Sequence, residues 1–440
     1  MTGAARYPVS LNGVRAIRIL TLLTFIVTSI SACASFDPIP PEDLDFLERS
    51  MTQEKNNIRV TVSVPTRVES RKAFGKKLDK LEIQPVWIEI ENNSGRDYLL
   101  IFHSLDSDYF SAGEAAYASH GLDTAQNKGI DEYFEDLAIE RAALAGTTVS
   151  GFAFSNLKLG TKEVRIRIYT EGEVLDFEFY VTVPGLRADW QRVEFESLYP
   201  ENERIDMDDP ADLRKYLEEF MCCTTKKNGT GSGDPINLIV IGRGNHLNGF
   251  IKAGWDETEI ISAGSSWRTT KAFLTGSEYK YSPISALYVF ERPQDIGLQK
   301  ARDTINERNH LRLWLSPVRF RGELVWIGAI SRDIGVFFTT RAWNLTTHAI
   351  DPEVDEARDY LVEDIATAQA LAEFGWIGGV GEVTRDSPKK NLLGSPWWTD
   401  GQRTVLWMTD QPTALQDVEI MDWTESRMPR KQSTAAGTAP

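Results

Sequence analysis

Two histidines and three aspartates in the C-terminal half of the sequence have side chains suited to acid–base or metal chemistry: His310, Asp333, His348, Asp351 and Asp355. An imidazole nitrogen and carboxylate oxygens together can hold a divalent metal ion or transfer a proton. We take the two histidines and Asp333 as candidate catalytic residues. Their spacing does not match a zinc motif such as two histidines four residues apart. The sequence therefore names no metal and no cofactor.

Two of these residues belong to a predicted β-hairpin around Arg321-Gly322. His310 and Arg312 are two residues apart in the first strand, so their side chains are expected on one face. Arg332 and Asp333 are expected just beyond the end of the second strand. Arg312 and Arg332 are therefore candidate binding residues beside the two catalytic candidates.

The remaining candidates are expected around the start of a long helix. Asp351-Pro352 has the form of an N-cap followed by proline at the first helical position, with His348 just before it. Asp355 is expected four residues on, on the same side as Asp351. These two aspartates complete the set of candidate binding residues.

A structural network explains the same residues without chemistry. An N-cap aspartate stabilises a helix by about 1 kcal/mol. Acidic residues in the first turn suit the positive end of the helix dipole, and nearby arginines such as Arg308 and Arg358 can pair with the carboxylates. Ligand recognition without catalysis is a third reading, and the sequence leaves all three open.

Two further motifs carry weaker signals. The segment 241–246 follows a predicted strand and resembles an anion-binding turn, but it lacks a third glycine and the lysine of a phosphate loop, so a tight turn is the default. Cys222 and Cys223 are adjacent, and we favour two buried or semi-buried thiols at a helix end over a vicinal disulfide.

The elements around these residues indicate an α+β chain of two domains. Residues 57–186 alternate apolar and polar side chains in about seven short segments, interrupted by helical segments at 111–145, which predicts an antiparallel, immunoglobulin-like β-sandwich. Residues 187–410 mix strands and helices and predict an α/β domain. Its last long helix is expected to begin after Asp351 and to end at Gly375. Residues 411–440 read as a polar tail, disordered from 425.

The first 36 residues predict a lipoprotein leader. Three arginines without an acidic residue precede the apolar stretch Ile19–Ile30, which is shorter than the roughly 20 residues of a membrane-spanning helix. The following Ile-Ser-Ala-Cys resembles a bacterial lipobox, which implies removal of residues 1–32 and acylation of Cys33. A plain secretory signal or an uncleaved anchor is the alternative. Residues 33–56 would then form a spacer, and Ala34 and Ser35 resemble the outer-membrane sorting pattern.

Composition excludes one class of partner. Acidic residues outnumber basic ones 64 to 48, for a net charge of −16, so a general nucleic-acid-binding role is excluded. The leader contains three arginines and no acid, so its removal leaves the chain still more acidic. Attachment to a membrane would therefore depend on the lipid.

Several blocks of the second domain are similar to the LssY C-terminal domain family. They include Asn237–Gly242, Leu287–Asp295, Arg308–Trp314 and Asp355–Leu361, in the family's order. One departure is Asn309, where the family more often has a second histidine before the one that matches His310. The family is largely uncharacterised, so the resemblance implies a domain boundary more than an activity.

These observations favour a lipid-anchored envelope protein on the periplasmic face of the outer membrane, with a binding or assembly role and protein partners in the envelope. The rival is a metal-assisted hydrolase acting on a phosphorylated or lipid-linked substrate. It requires His310, Asp333 and His348 to converge in one cleft.

Overall fold

In the computed structural model, the described residues are 36–260, 281, 284–301, 308–338 and 346–422. The predicted leader, Cys33 and the residues from 423 onward lie outside them. Within those ranges, no helix combines the length and the apolar character needed to span a bilayer.

The first domain contains eight strands and three α-helices among its described residues. The strands are β1 (Met51–Lys55), β2 (Ile58–Ser63), β3 (Ile83–Asn92), β4 (Tyr98–Ile101), β5 (Ala142–Ala143), β6 (Thr148–Asn156), β7 (Gly160–Thr170) and β8 (Glu173–Val183). The helices are α1 (Arg67–Phe74), α2 (Ala112–Ala118) and α3 (Thr124–Leu137).

These strands form two antiparallel sheets with the orders β1-β2-β3-β6 and β5-β4-β7-β8. Alternate residues of each strand point inward, so Val60 and Ile88 of one sheet join Ile166 and Phe177 of the other in one core. The predicted strands and the antiparallel packing are confirmed. The immunoglobulin-like connection pattern is not confirmed.

The N-terminal segment differs from the expected spacer. Residues 36–55 pack on the sandwich: β1 pairs with β2, and the Phe46 side chain is fully buried. Phe46 lies in an aromatic cluster with Phe74 of α1, Phe134 of α3 and Phe152 of β6. Burial of these apolar side chains holds the segment against the domain, which its proline content did not reveal.

The second domain contains the remaining described strands and helices. The strands are β9 (Ile205–Met207), β10 (Leu238–Ile241), β11 (Asp256–Glu257), β12 (Tyr288–Val289), β13 (Arg292–Pro293), β14 (Ile296–Ala301), β15 (Arg308–Phe320), β16 (Glu323–Phe338), β17 (Thr346–Ile350), β18 (Leu371–Ile377), β19 (Lys389–Lys390), β20 (Pro396–Trp397), β21 (Arg403–Met408) and β22 (Glu419–Ile420). The helices are α4 (Pro210–Glu219), α5 (Asn248–Lys252) and α6 (Val354–Thr367).

Ten of these strands form one mixed sheet with the central order β11-β14-β15-β16-β10-β21-β18-β22. The β15–β16 hairpin is the longest pairing, and β10 runs parallel to β21. One face packs Leu311 and Leu313 against Leu361 of α6. The opposite face packs Trp314 against Leu213 of α4. The predicted mixed α/β domain is confirmed.

The last long helix is shorter than predicted. Helix α6 ends at Thr367, and Gln369 adopts a positive φ of 60° that turns the chain into β18. Leu371 and Phe374, expected on the apolar stripe of the helix, lie in that strand, where they pair with β21. Sheet pairing therefore overrides a helical spacing that continues past the turn.

The first part of the predicted polar tail is folded onto the domain. Residues 411–422 are ordered against the domain, with β22 paired to β18 and Met421 buried. Cys222 and Cys223 are joined in a vicinal disulfide, so the interpretation as two thiols was wrong.

Candidate functional site

Strand β15 directs a row of charged side chains onto one face of the mixed sheet. Arg308, His310 and Arg312 alternate with residues that face α6, as the period of two predicted. His310 stands between Gln299 of β14 and Ser331 of β16 in the register of the sheet. These three residues of β15 and their two neighbours in the register, Gln299 and Ser331, all have buried side chains. This face of the sheet therefore holds a polar cluster inside the protein.

Asp333 completes the centre of this cluster. Its Oδ2 lies 3.5 Å from His310 Nε2 and 3.7 Å from Arg308 Nε. Burial raises the pKa of the Asp333 carboxyl to about 7, against the opposing effect of Arg308 and Arg312. Strand β16 continues to Phe338, so Asp333 lies within the strand and the expectation that it lies beyond the strand end was wrong.

Arg312 extends the cluster toward the segment that precedes β10. Its Nη1 lies 3.7 Å from Asp234 Oδ2, and its Nε and Nη2 donate to Ser285 O at 3.2 Å. Asp234 in turn accepts a hydrogen bond from Asn391 at 2.9 Å. Burial lowers the pKa of the Arg312 guanidinium. The buried guanidinium of Arg312 therefore contacts the segments of Asp234 and Ser285 directly, and the segment of Asn391 through Asp234.

Arg332 lies apart from this cluster. It alternates with Asp333 on β16, and its Nε donates to Asn309 Oδ1 at 3.0 Å. The guanidinium lies 5.3 Å from the ring centroid of Tyr360 in α6. Arg332 therefore packs on the helical side of the sheet, away from His310.

Asp351 and Asp355 do not share a site. Asp351 Oδ1 accepts the backbone N–H of Glu353 at 3.1 Å in a turn before α6, and Glu353, not Asp351, is the N-cap position. Asp355 accepts hydrogen bonds from Thr399 Oγ1 and Asp400 N, both at 2.7 Å. The two aspartates were expected on the same side of one helix. This expectation was wrong because the helix begins at Val354, so Asp351 lies outside it.

Asp355 belongs to a second buried network around Arg358. The Arg358 side chain has no exposed surface and donates to both carboxylate oxygens of Asp400, at 2.9 and 3.1 Å. Asp359 and Asp355 lie 3.0 and 3.3 Å from the same guanidinium. Burial raises the pKa of the Asp355 carboxyl, and Arg358 opposes that effect. This network joins α6 to the segment before β21.

The structure does not describe the side chains of two predicted site residues, His348 and Cys33. His348 is in β17, where its backbone is paired with Val336, and its side chain is not among those described. Cys33 precedes the described residues. Among the side chains that are described, no three His, Cys, Asp or Glu residues form a group able to hold a metal ion.

Sequence reasoning therefore found the centre of the cluster and missed its outer members. His310, Arg312 and Asp333 come together, while Arg332, Asp351 and Asp355 lie elsewhere. Gln299, which accepts from Arg308 Nη1 at 2.6 Å, and Asp234 were missed. The alternation in β14 could have indicated Gln299, but no local pattern places Asp234 beside Arg312.

The segment after β10 has a structural role. Residues 244–247 form a single 3₁₀ turn leading into the five-residue helix α5, and Arg243 pairs with Glu323 at 3.1 Å. This is the tight turn that the sequence favoured.

Concave sites lie instead between the two domains. One pocket of about 340 Å³ lies between β7–β8 of the sandwich and the mixed sheet, and its walls are mostly apolar. Trp190, Phe195, Leu298 and Trp326 form its aromatic and aliphatic walls. A second cleft of about 610 Å³ is lined by charged residues and shares only Ile251 with the first.

Hydrogen bonds hold the domains together beside these cavities. Glu257 of β11 accepts hydrogen bonds from Thr161 N at 2.7 Å and from Thr161 Oγ1 at 3.1 Å. It also accepts one from Trp190 Nε1 at 2.6 Å. Lys158 of the first domain pairs with Asp256 of the second at 2.6 Å. Because Glu257 is buried, its three bonds fix how β7 sits on the second domain.

Comparison with protein families identifies part of the second domain. Residues 213–402 match the family model described as LssY C-terminus, which agrees with the resemblance found in the sequence. The matched region contains His310, Arg312 and Asp333 and excludes the β-sandwich. No curated protein matches the chain.

Proposed function

We propose that this chain, whose C-terminal half matches the LssY C-terminus family, is a lipid-anchored protein of the cell envelope that binds a ligand between its two domains. The observation that carries the binding role is the pocket of about 340 Å³ with walls from both domains. Small-molecule sites are typically concave, largely apolar and about 300–1,000 Å³, and they occur preferentially where domains meet.

The chemistry of the walls suggests a neutral, largely apolar ligand. Trp190, Phe195 and Trp326 offer broad apolar surfaces, while Glu257 contributes a carboxylate already engaged by three donors. A carboxylate on the ligand would be repelled by Glu257. The side chains of Thr182 and Asn248 also line the pocket and offer polar groups to the ligand.

A probe and a filling variant test the binding role. We expect the chain to bind the neutral dye Nile red with 1:1 stoichiometry, because the apolar walls remove its rings from water. Thr182→Trp places an indole at the pocket wall and should weaken binding by about tenfold or more. Thr148→Trp, at an exposed position of β6, is the matched control. Absent stoichiometric binding, or equal loss in both variants, contradicts the proposal.

The anchor is tested separately. Labelled palmitate should be incorporated into the wild-type chain and not into Cys33→Ser, and the variant should move from the membrane to the soluble fraction. Several acyl chains give essentially permanent attachment, since each buried CH₂ contributes about 0.8 kcal/mol. Unchanged fractionation of Cys33→Ser would exclude lipid anchoring without affecting the dye experiment.

A hydrolase, metal-assisted as the sequence suggested, is the second candidate. One observation favours it: His310 Nε2 and Asp333 Oδ2 lie 3.5 Å apart, so an imidazole and a carboxyl are neighbours and a small shift would bring them within hydrogen-bonding distance. The test is phosphatase and esterase activity of the purified chain, with metal analysis, beside His310→Ala. Activity equal in both proteins would remove His310 from any mechanism.

A further inference from the structure

The second cleft between the domains brings four lysines together in an acidic protein. Its volume is about 610 Å³, and both domains contribute to its walls. Its charged lining residues are four lysines and three carboxylic acids: Lys158, Lys162, Lys252, Lys300, Asp106, Glu163 and Asp256. The chain as a whole carries 48 basic against 64 acidic residues, so this lining reverses the overall balance.

Lys162 is the unusual member of the lining. It lies in β7 with 5% of its surface exposed, and its Nζ donates to Asn156 O at 3.1 Å. An ammonium group has three donors, yet among the described residues no carboxylate lies within ion-pair distance of it. Burial lowers the pKa of Lys162 to about 8, which reflects how poorly the surrounding groups compensate its charge.

The other three lysines are held in place by acids around the cleft. Lys158 pairs with Asp256 at 2.6 Å, and Lys300 pairs with Asp364 at 2.6 Å. Lys252 lies 3.4 Å from Glu178. Their positions are fixed before any ligand binds, which reduces the entropy lost on binding.

The acids of the lining oppose an anion only weakly. Asp106 Oδ2 is occupied by hydrogen bonds from Asn156 N at 2.7 Å and Asn156 Nδ2 at 3.1 Å. Burial and the neighbouring Glu178 raise the pKa of Glu163, which makes its charge easier to neutralise. Asp256 is balanced by Lys158.

We propose that this cleft is a binding site for a phosphate group, whose oxygens accept the remaining hydrogen bonds of the Lys162 ammonium. A phosphate carries up to two charges and several acceptor oxygens, and lysine binds it as a point charge. Such a ligand would contact lysines of both domains and hold them together. The inference concerns a different cavity from the apolar pocket and stands if that pocket binds nothing.

Calorimetry on the full chain in detergent tests this site with pyrophosphate and inorganic phosphate. We expect 1:1 binding of pyrophosphate and a loss of about tenfold or more in Lys162→Met, because a charged hydrogen-bond partner is removed. Lys128→Met, at an exposed position of α3, should bind like the wild type. Thermal unfolding of each variant establishes that it is folded.

A second lysine variant and a dicarboxylate anion serve as further tests of the site. If Lys162→Met does not fold, Lys158→Met from the same wall replaces it, with the same expected loss. Succinate at matched ionic strength should bind more weakly than pyrophosphate, since each of its ends carries a single charge. Absent pyrophosphate binding, equal binding to variant and wild type, or equal affinity for succinate overturns the proposal.

Discussion

His310 and Asp333 lie diagonally across β15 and β16, with Nε2 and Oδ2 3.5 Å apart and both side chains almost fully buried. Arg308 approaches the same carboxylate oxygen to 3.7 Å. A guanidinium, an imidazole and a carboxyl thus share an interior site. Burial still dominates, because the pKa of Asp333 is raised to about 7.

This raised pKa predicts how stability changes with pH. The folded protein holds the Asp333 proton up to about pH 7, whereas the unfolded chain releases it near its ordinary pKa of 3.8. The free energy of unfolding should therefore fall by up to about 4 kcal/mol as pH rises from about 4 to 7, and level off above that. Asp333→Asn should remove this slope, as measured by denaturant unfolding at several pH values.

The charged neighbours of Asp333 include Arg308, Arg312 and the more distant Asp234, and the titratable imidazole of His310 lies beside it. The control is Asp136→Asn on the exposed side of α3, which should keep the wild-type slope. A slope equally steep in Asp333→Asn would assign the pH dependence to another group.

The buried network around Arg358 predicts a large loss of stability. Arg358→Met leaves Asp355 and Asp400 inside the protein without their cation and should cost about 3–5 kcal/mol. Arg385→Met removes a half-exposed pair with Glu353 and should cost about 1 kcal/mol or less. Denaturant unfolding measures both, and similar losses would show that burial of Arg358 does not matter.

Local patterns predicted the strands because their residues have one buried face. Alternation over Ile58–Ser63, Gly160–Thr170 and Glu173–Val183 follows the pleat, which depends only on neighbouring positions. The predicted end of the helix after Asp351 was wrong because that end depends on a contact between segments distant in sequence. Its apolar spacing continues through Phe374, and only the pairing of β18 with β21 turns those residues into a strand.

In the candidate site, too, local patterns predicted some contacts, and others form only when distant segments come together. The period of two placed Arg312 beside His310, and the hairpin brought Asp333 to them. Asp234 reaches Arg312 from a segment about 80 residues earlier, a contact that depends on the whole sheet being assembled. Asp351 and Asp355 were grouped because they are four residues apart in a predicted helix. They do not share a site because that helix begins after Asp351.

The interface between the domains predicts coupled unfolding. Glu257→Ala leaves Thr161 N–H and Trp190 Nε1–H without their buried acceptor, at about 1–3 kcal/mol for each. We expect calorimetry to show the two domains melting in separate transitions in this variant and closer together in the wild type. Glu54→Ala, on exposed β1, should leave the wild-type profile. An unchanged profile in Glu257→Ala would mean that other contacts couple the domains.

The vicinal disulfide predicts the reactivity of Cys222 and Cys223. Cys223 is buried with Val354 and Trp397, and Cys222 O accepts a hydrogen bond from Ile236 N at 2.8 Å, so the pair lies between the start of α6 and the segment that leads into β10. Denatured without reductant, neither cysteine should react with iodoacetamide, because only a thiolate is nucleophilic. After reduction, both should be alkylated in one peptide, as mass spectrometry detects. Cys222→Ser supplies the matched control, since Cys223 should then react without reduction; alkylation of both cysteines in the unreduced wild type would contradict the bond.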